Sequence, residues 1–87
     1  MKLVITSVAK KQIKKLQKVY QIVIVQKIRK LGMDSTVWSE KLSGYKNFYR
    51  CRVGVYRIVY TKNINEIKIV LVAHRREVYL LLKRMIS

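Results

Sequence analysis

Arginines dominate the part of this sequence that could do chemistry. Arg50 and Arg52 flank Cys51, Arg57 follows shortly after, and the run His74-Arg75-Arg76-Glu77-Val78-Tyr79 adds two more arginines, a histidine and a tyrosine. A planar guanidinium presents a fixed fork of donors that matches phosphate oxygens two at a time, which a lysine or threonine on the same surface would not do. It also stays charged, so at a reacting phosphate the arginines would stabilise developing charge while proton transfer came from elsewhere. Tyr79 and His74 are the candidates for that second task. Guanidinium groups nearby favour the phenolate of a tyrosine, and a histidine titrates near neutrality. Each also has a plain structural use, Tyr79 as an aromatic anchor for a terminal helix and His74 as a strand-end residue. One cysteine, one histidine and four scattered carboxylates show no metal-ligand spacing, so neither a metal nor another cofactor is expected.

The elements that must carry these residues follow from periodicity. From Asn47 the pattern has a period of two: Tyr49, Cys51 and Val53 alternate with Phe48, Arg50 and Arg52, and Tyr56, Ile58 and Tyr60 alternate with Arg57, Val59 and Thr61. Ile67, Ile69 and Leu71 alternate in turn with Lys68, Val70 and Val72. Gly54-Val55 suits a two-residue hairpin with glycine first, and Lys62-Asn63-Ile64-Asn65 a longer one, giving an antiparallel meander. With that first turn Arg52 stands directly opposite Arg57, and Arg50 shares their face. Like charges placed opposite on a sheet are destabilising by a few tenths to about 1 kcal/mol, so a solvated face is a weaker explanation for this trio than for isolated arginines. Tyr49, Tyr56 and Tyr60 fall on the apolar face and are expected in the core.

Before the meander, Lys2 through Thr6 reads as a short strand and Thr6 or Ser7 as an N-cap. Ala9, Ile13, Leu16, Tyr20, Ile24, Ile28 and Leu31 recur every three or four residues, the apolar stripe of a helical segment over 8–31. Without Gly or Pro inside it, the pattern allows one long helix or a pair with a turn near Gln17 to Val19. Gly32 would stop it. Met33 through Tyr45 reads as a loop, in which Trp38 could stack on a base or cover a hydrophobic edge. Arg75 to Ile86, with Val78, Leu81, Leu82 and Met85, forms a short closing helix.

Eighty-seven residues hold one domain, expected over 1–87, and half of them are apolar, enough for a core. Twenty Lys and Arg against four Asp and Glu give a formal charge of +16, whose self-repulsion calls for a polyanionic partner. The longest apolar runs, Ile22 through Val25 and Ile69 through Ala73, are too short to span a bilayer, and no membrane partner is expected. Lys2 is not followed by a secretory apolar region, and the lone Cys51 cannot form an internal disulfide; a cytoplasmic location is expected. Lys10, Lys11, Lys14, Lys15 and Lys18 crowd the first helical turns, where a solvated basic face and direct phosphate contact are compatible readings.

The run Lys41-Leu42-Ser43-Gly44, the stretch Tyr49-Arg50-Cys51-Arg52-Val53-Gly54-Val55-Tyr56-Arg57-Ile58-Val59-Tyr60 and the closing His74-Arg75-Arg76-Glu77-Val78-Tyr79 resemble the RelE/ParE toxin superfamily, most closely its RelE branch. The opening strand and the lysine-rich helix ending in Ile28-Arg29-Lys30-Leu31 extend the resemblance over essentially the whole chain. It implies an α+β fold in which an N-terminal helical pair packs on a twisted antiparallel β-sheet with a short C-terminal helix. It also implies cleavage of messenger RNA in the ribosomal A site, an acidic antitoxin as partner, and no small-molecule substrate. Carried over residue by residue, the catalytic set is Arg50, Arg52, Arg57, Arg75 and Tyr79, with Arg76 adjacent to the Arg75 position; Lys10, Lys11, Lys14, His74 and Arg76 are the expected RNA-binding residues. The best-known relatives have lysines where this chain has Arg50 and Arg52, and an arginine cannot serve as general base. The alternatives are a gyrase-directed toxin of the ParE type without nuclease activity, a non-catalytic nucleic-acid-binding module, and an inactive relative retained for antitoxin binding.

Overall fold

The computed structural model describes residues 2–33 and 39–86. The elements in chain order are β1 (Lys2–Ile5), α1 (Ser7–Lys14), α2 (Lys18–Met33), β2 (Glu40–Lys41), β3 (Phe48–Val53), β4 (Tyr56–Lys62), β5 (Glu66–His74) and α3 (Val78–Ile86). The expected α+β class and helical pair are both present. The strands form one sheet in the order β1-β5-β4-β3-β2. It is antiparallel except at one edge, where β1 runs parallel to β5 with Lys2 beside Glu66 and Ile5 beside Ile69. A parallel neighbour cannot be reached through a hairpin, and the chain arrives there only after the helices and three intervening strands.

Thr6 caps α1: its hydroxyl accepts the Ala9 amide at 3.2 Å and donates to the Ile69 carbonyl at 2.9 Å, fixing the helix to β5. The helical segment breaks after Lys15, whose amide reaches back to the Gln12 carbonyl at 3.3 Å, and the Gln21 side chain donates to the freed Leu16 carbonyl at 2.8 Å. That satisfied corner explains a turn with neither Gly nor Pro. Gly32 does not end α2, which continues to Met33. A Cβ at Gly32 would lie 3.3 Å from Leu3 Cδ2, so glycine there permits close approach of α2 to β1. The stretch read as a loop from Met33 to Tyr45 contains the last residue of α2 and all of β2. Trp38 lies outside the described residues.

Two cores form, one on each face of the sheet. Ala9, Ile13, Ile24, Ile28 and Leu31 from the helical pair bury against Cys51, Val53, Ile58, Tyr60, Ile67, Ile69 and Val72, with Tyr49 and Tyr56 packed at the margin. On the other face Val78 and Leu82 of α3 bury against Leu42, Val59, Leu71 and Ala73. The arginine face is therefore partly roofed by α3 instead of lying open to solvent. The β4–β5 register slips between Val59 and Tyr60: Val59 stands beside Leu71 but Tyr60 beside Ile69. The extra residue reverses the faces of everything after it. Leu71 consequently points to the arginine face, while Val72 and His74 turn to the face of the helical pair, against the simple alternation of the sequence.

No described helix is long and apolar enough to cross a membrane. Cys51 is buried in the larger core, and burial pushes its thiol up, with the charge of Lys27 only partly offsetting it. The native protein should therefore resist alkylation by iodoacetamide at neutral pH and label fully after denaturation, as intact-mass spectrometry would read.

Candidate active site

The pleat of β3 and β4 sets Arg50, Arg52 and Arg57 on one face, and the Gly54-Val55 turn fixes their register. Gly54 takes the positive φ of +59° that the first position of this turn requires, and Arg52 pairs directly with Arg57. Arg75 is brought to them by its backbone, whose amide donates to the Val55 carbonyl at the hairpin tip at 2.7 Å. Val78, fully buried in the smaller core, then anchors α3 so that Tyr79 follows at the mouth. The result is a pocket of about 480 Å³ lined by Glu40, Arg50, Arg52, Arg57, Arg75, Arg76 and Tyr79. Five guanidinium groups face a single carboxylate, an arrangement that attracts an anion.

The arginines differ in how they are held. Arg57 is only 8% exposed, and its Nη1 donates to the carbonyls of Gly54 at 3.0 Å and Tyr56 at 2.9 Å. No carboxylate pairs with it among the described residues. No buried side-chain nitrogen among the described residues lacks a partner, so the rest of its guanidinium opens onto the pocket. Arg50 is tied instead to side chains. Its Nε donates to Glu40 Oε2 at 3.0 Å, its Nη2 donates to the same oxygen, and its Nη1 donates to the Tyr79 hydroxyl. The Tyr79 ring lies beneath this guanidinium, 5.5 Å from Cζ to the ring centroid. Those bonds, Glu40 first and Tyr79 second, raise the Arg50 pKa above its ordinary value. Arg52, Arg75 and Arg76 are exposed.

All five residues expected to be catalytic, and Arg76 with them, converge on this pocket. His74 does not. It stands across the sheet beside Tyr56, ring centroids 6.0 Å apart, and its Nδ1 accepts the Arg76 amide at 3.1 Å. Lys10, Lys11 and Lys14 are exposed on α1, behind the sheet as seen from the pocket. Glu40 escaped the sequence reading, although it pairs directly with Arg50 through β2. The available signal was an acidic residue, one of only four, just before the Leu42-Ser43-Gly44 turn, where an opposite charge across the strand would favour pairing. Among the described residues, no three His, Cys, Asp or Glu side chains gather as a metal site.

Comparison with known proteins agrees with this architecture. The sequence profile of the family described as the ParE toxin of type II toxin-antitoxin system, parDE, matches residues 3–79. Among solved structures, a chain of the RelB-RelE antitoxin-toxin complex from Methanococcus jannaschii is 26% identical with a TM-score of 0.74, covering 87% of this chain and 94% of that one. A chain of the archaeal RelE-RelB complex from Pyrococcus horikoshii is 25% identical with a TM-score of 0.70, covering 85% and 93%. The isolated E. coli RelE toxin, 22% identical with a TM-score of 0.72 over 99% and 98%, shares the fold. No curated protein sequence gives a match.

Proposed function

The chain belongs to the RelE/ParE superfamily of type II toxin–antitoxin toxins, and on that premise we propose that it is an endoribonuclease that cuts messenger RNA on the ribosome. The observation that carries this reading is the pocket: Arg57 with part of its guanidinium uncommitted, three further arginines around it, and a carboxylate and a phenol held at the rim by Arg50.

In the reaction the ribose 2′-oxygen attacks the adjacent phosphorus. Its proton passes to an acceptor, the bond from phosphorus to the 5′-oxygen breaks, and the leaving oxygen takes a proton. Glu40 is the carboxylate that the pocket offers as acceptor, and His74 on the opposite face is displaced from that role. The Tyr79 hydroxyl accepts from Arg50 and keeps its own O–H to donate, which suits it to the leaving oxygen. Arg57 holds the phosphate oxygens as charge builds on them, with Arg50 and Arg52 beside it and Arg75 near the leaving group. No metal is needed for these steps. Lys10, Lys11 and Lys14 would face ribosomal RNA, and an acidic antitoxin would cover the basic surface.

The test is to incubate the protein with translating ribosomes and map new messenger RNA 5′ ends, with magnesium retained for the ribosome. New ends within occupied A sites are expected. Intact messenger RNA together with inhibited DNA gyrase would replace this reading by the ParE type, the one that the matched profile names. In the same assay Tyr79→Phe keeps the ring over Arg50 and loses the hydroxyl. Single-turnover cleavage should fall by about 10²-fold with the fold unchanged by circular dichroism; wild-type cleavage would reduce Tyr79 to a support for Arg50.

A further inference from the structure

Around the end of the sheet from the arginine pocket lies a second cavity, of about 320 Å³, lined by Val23, Gln26, Lys27, Lys30, Arg52, Val53 and Gly54. Arg52 lines both cavities. Among the described residues β2 reaches only Tyr49 and Arg50 of β3, and the groove opens at the strand's last residues. The C-terminal half of α2 overhangs this edge and supplies the two lysines. No carboxylate pairs with Lys27, Lys30 or Arg52 among the described residues.

We propose that this groove is a second phosphate seat, which holds a flanking phosphate of the same RNA strand whose scissile phosphate lies in the arginine pocket. The proposal rests on the reading that the arginine pocket takes RNA. Three cations with no counter-ion among the described residues lose less repulsion to a protein contact than to a phosphate placed among them. Arg52, shared by the two cavities, can contact successive phosphates from either side. Continuity with the arginine pocket favours a nucleic-acid strand over an acidic protein segment, which would have no need to begin there.

The experiment measures binding of the full chain to single-stranded RNA bearing 2′-O-methyl riboses, which cannot be cut by 2′-oxygen attack, by fluorescence anisotropy across a salt series. For a strand long enough to span both cavities, Lys27→Gln/Lys30→Gln should weaken binding several-fold and flatten the plot of log affinity against log salt by about 0.7, the contribution of one phosphate on a single strand. A dinucleotide, reaching only the arginine pocket, should bind this variant and the wild type alike. Lys2→Gln/Lys62→Gln, which removes as much charge at the far end of the sheet, should leave the slope of the longer strand unchanged. Equal losses in the two double variants, or an unchanged slope in the first, would overturn the proposal. So would a Lys27/Lys30 variant that binds RNA normally but loses its grip on the antitoxin, because the groove would then be a protein interface. The failure of nuclease activity is separable: a wild type that cuts nothing on ribosomes, yet shows the length-dependent slope change, would retire the enzymatic reading and leave the second seat standing.

Discussion

Arg57→Ala is expected to lower single-turnover cleavage of ribosome-bound messenger RNA by about 10²- to 10³-fold while leaving ribosome affinity within about tenfold of wild type. The remaining basic residues of the +16 chain still hold RNA. What is lost is a guanidinium whose orientation is set before substrate arrives, because Nη1 is already bonded to the Gly54 and Tyr56 carbonyls. A donor fixed in advance stabilises the transition state without reorganising when charge moves, whereas the exposed Arg52, Arg75 and Arg76 must first be ordered. The same two bonds brace the hairpin tip, so the variant should also lose about 1–3 kcal/mol of stability in urea unfolding. Arg57→Lys separates the two roles: it restores charge without the fork and should recover affinity more than turnover. Equal losses of affinity and turnover in Arg57→Ala would make the residue a binding group, and no loss of either would return the cluster to a solvated basic face.

Glu40→Gln should cost about 10²- to 10⁴-fold in cleavage, the range for loss of a positioned proton acceptor. Glutamine keeps the size of the side chain and an oxygen for Arg50 to bond, but it cannot take the 2′-hydroxyl proton. Near-wild-type cleavage by the variant would make Glu40 a support for Arg50 and not a proton acceptor. Faster cleavage by Glu40→Gln would mean that the carboxylate occupies the anion seat of Arg50 and has to be displaced by substrate.

The arginine trio was legible because its placement depends on two local facts, the period of two and a two-residue turn, and these determine register without knowledge of the rest of the fold. The helical stripe of Ala9, Ile13, Ile24 and Ile28 was legible for the same reason. What escaped was non-local. β2 is two residues long and leaves no periodicity to detect, so Glu40 stayed hidden in a presumed loop. Its partner Arg50 becomes evident only once the strands pair. His74 closes β5 as a strand-end residue, but its face was not legible: the slip at Val59/Tyr60 has no marker in a run of Ile, Val and Leu, all of which suit either face, and it carries His74 across the sheet. The parallel pairing of β1 depends on a strand more than sixty positions away, about which a local pattern says nothing.

That distant pairing also sets the order in which the protein can assemble. Joining Lys2–Ile5 to Glu66–Ile69 closes a loop containing most of the chain, and such contacts form late because their entropy must be met before they stabilise anything. During synthesis, at about 5–20 residues per second, β1 and the helical pair emerge first, with the apolar stripe that the later strands will bury. The hairpin bearing Arg50, Arg52 and Arg57 follows, and Arg75, Arg76 and Tyr79 come only after β5. Until β5 and the residues after it have emerged, the nascent chain therefore has at most part of the pocket and no closed sheet. Under the proposed reading, a nascent chain could not cut a message until its last strand and the residues that follow it had emerged and paired.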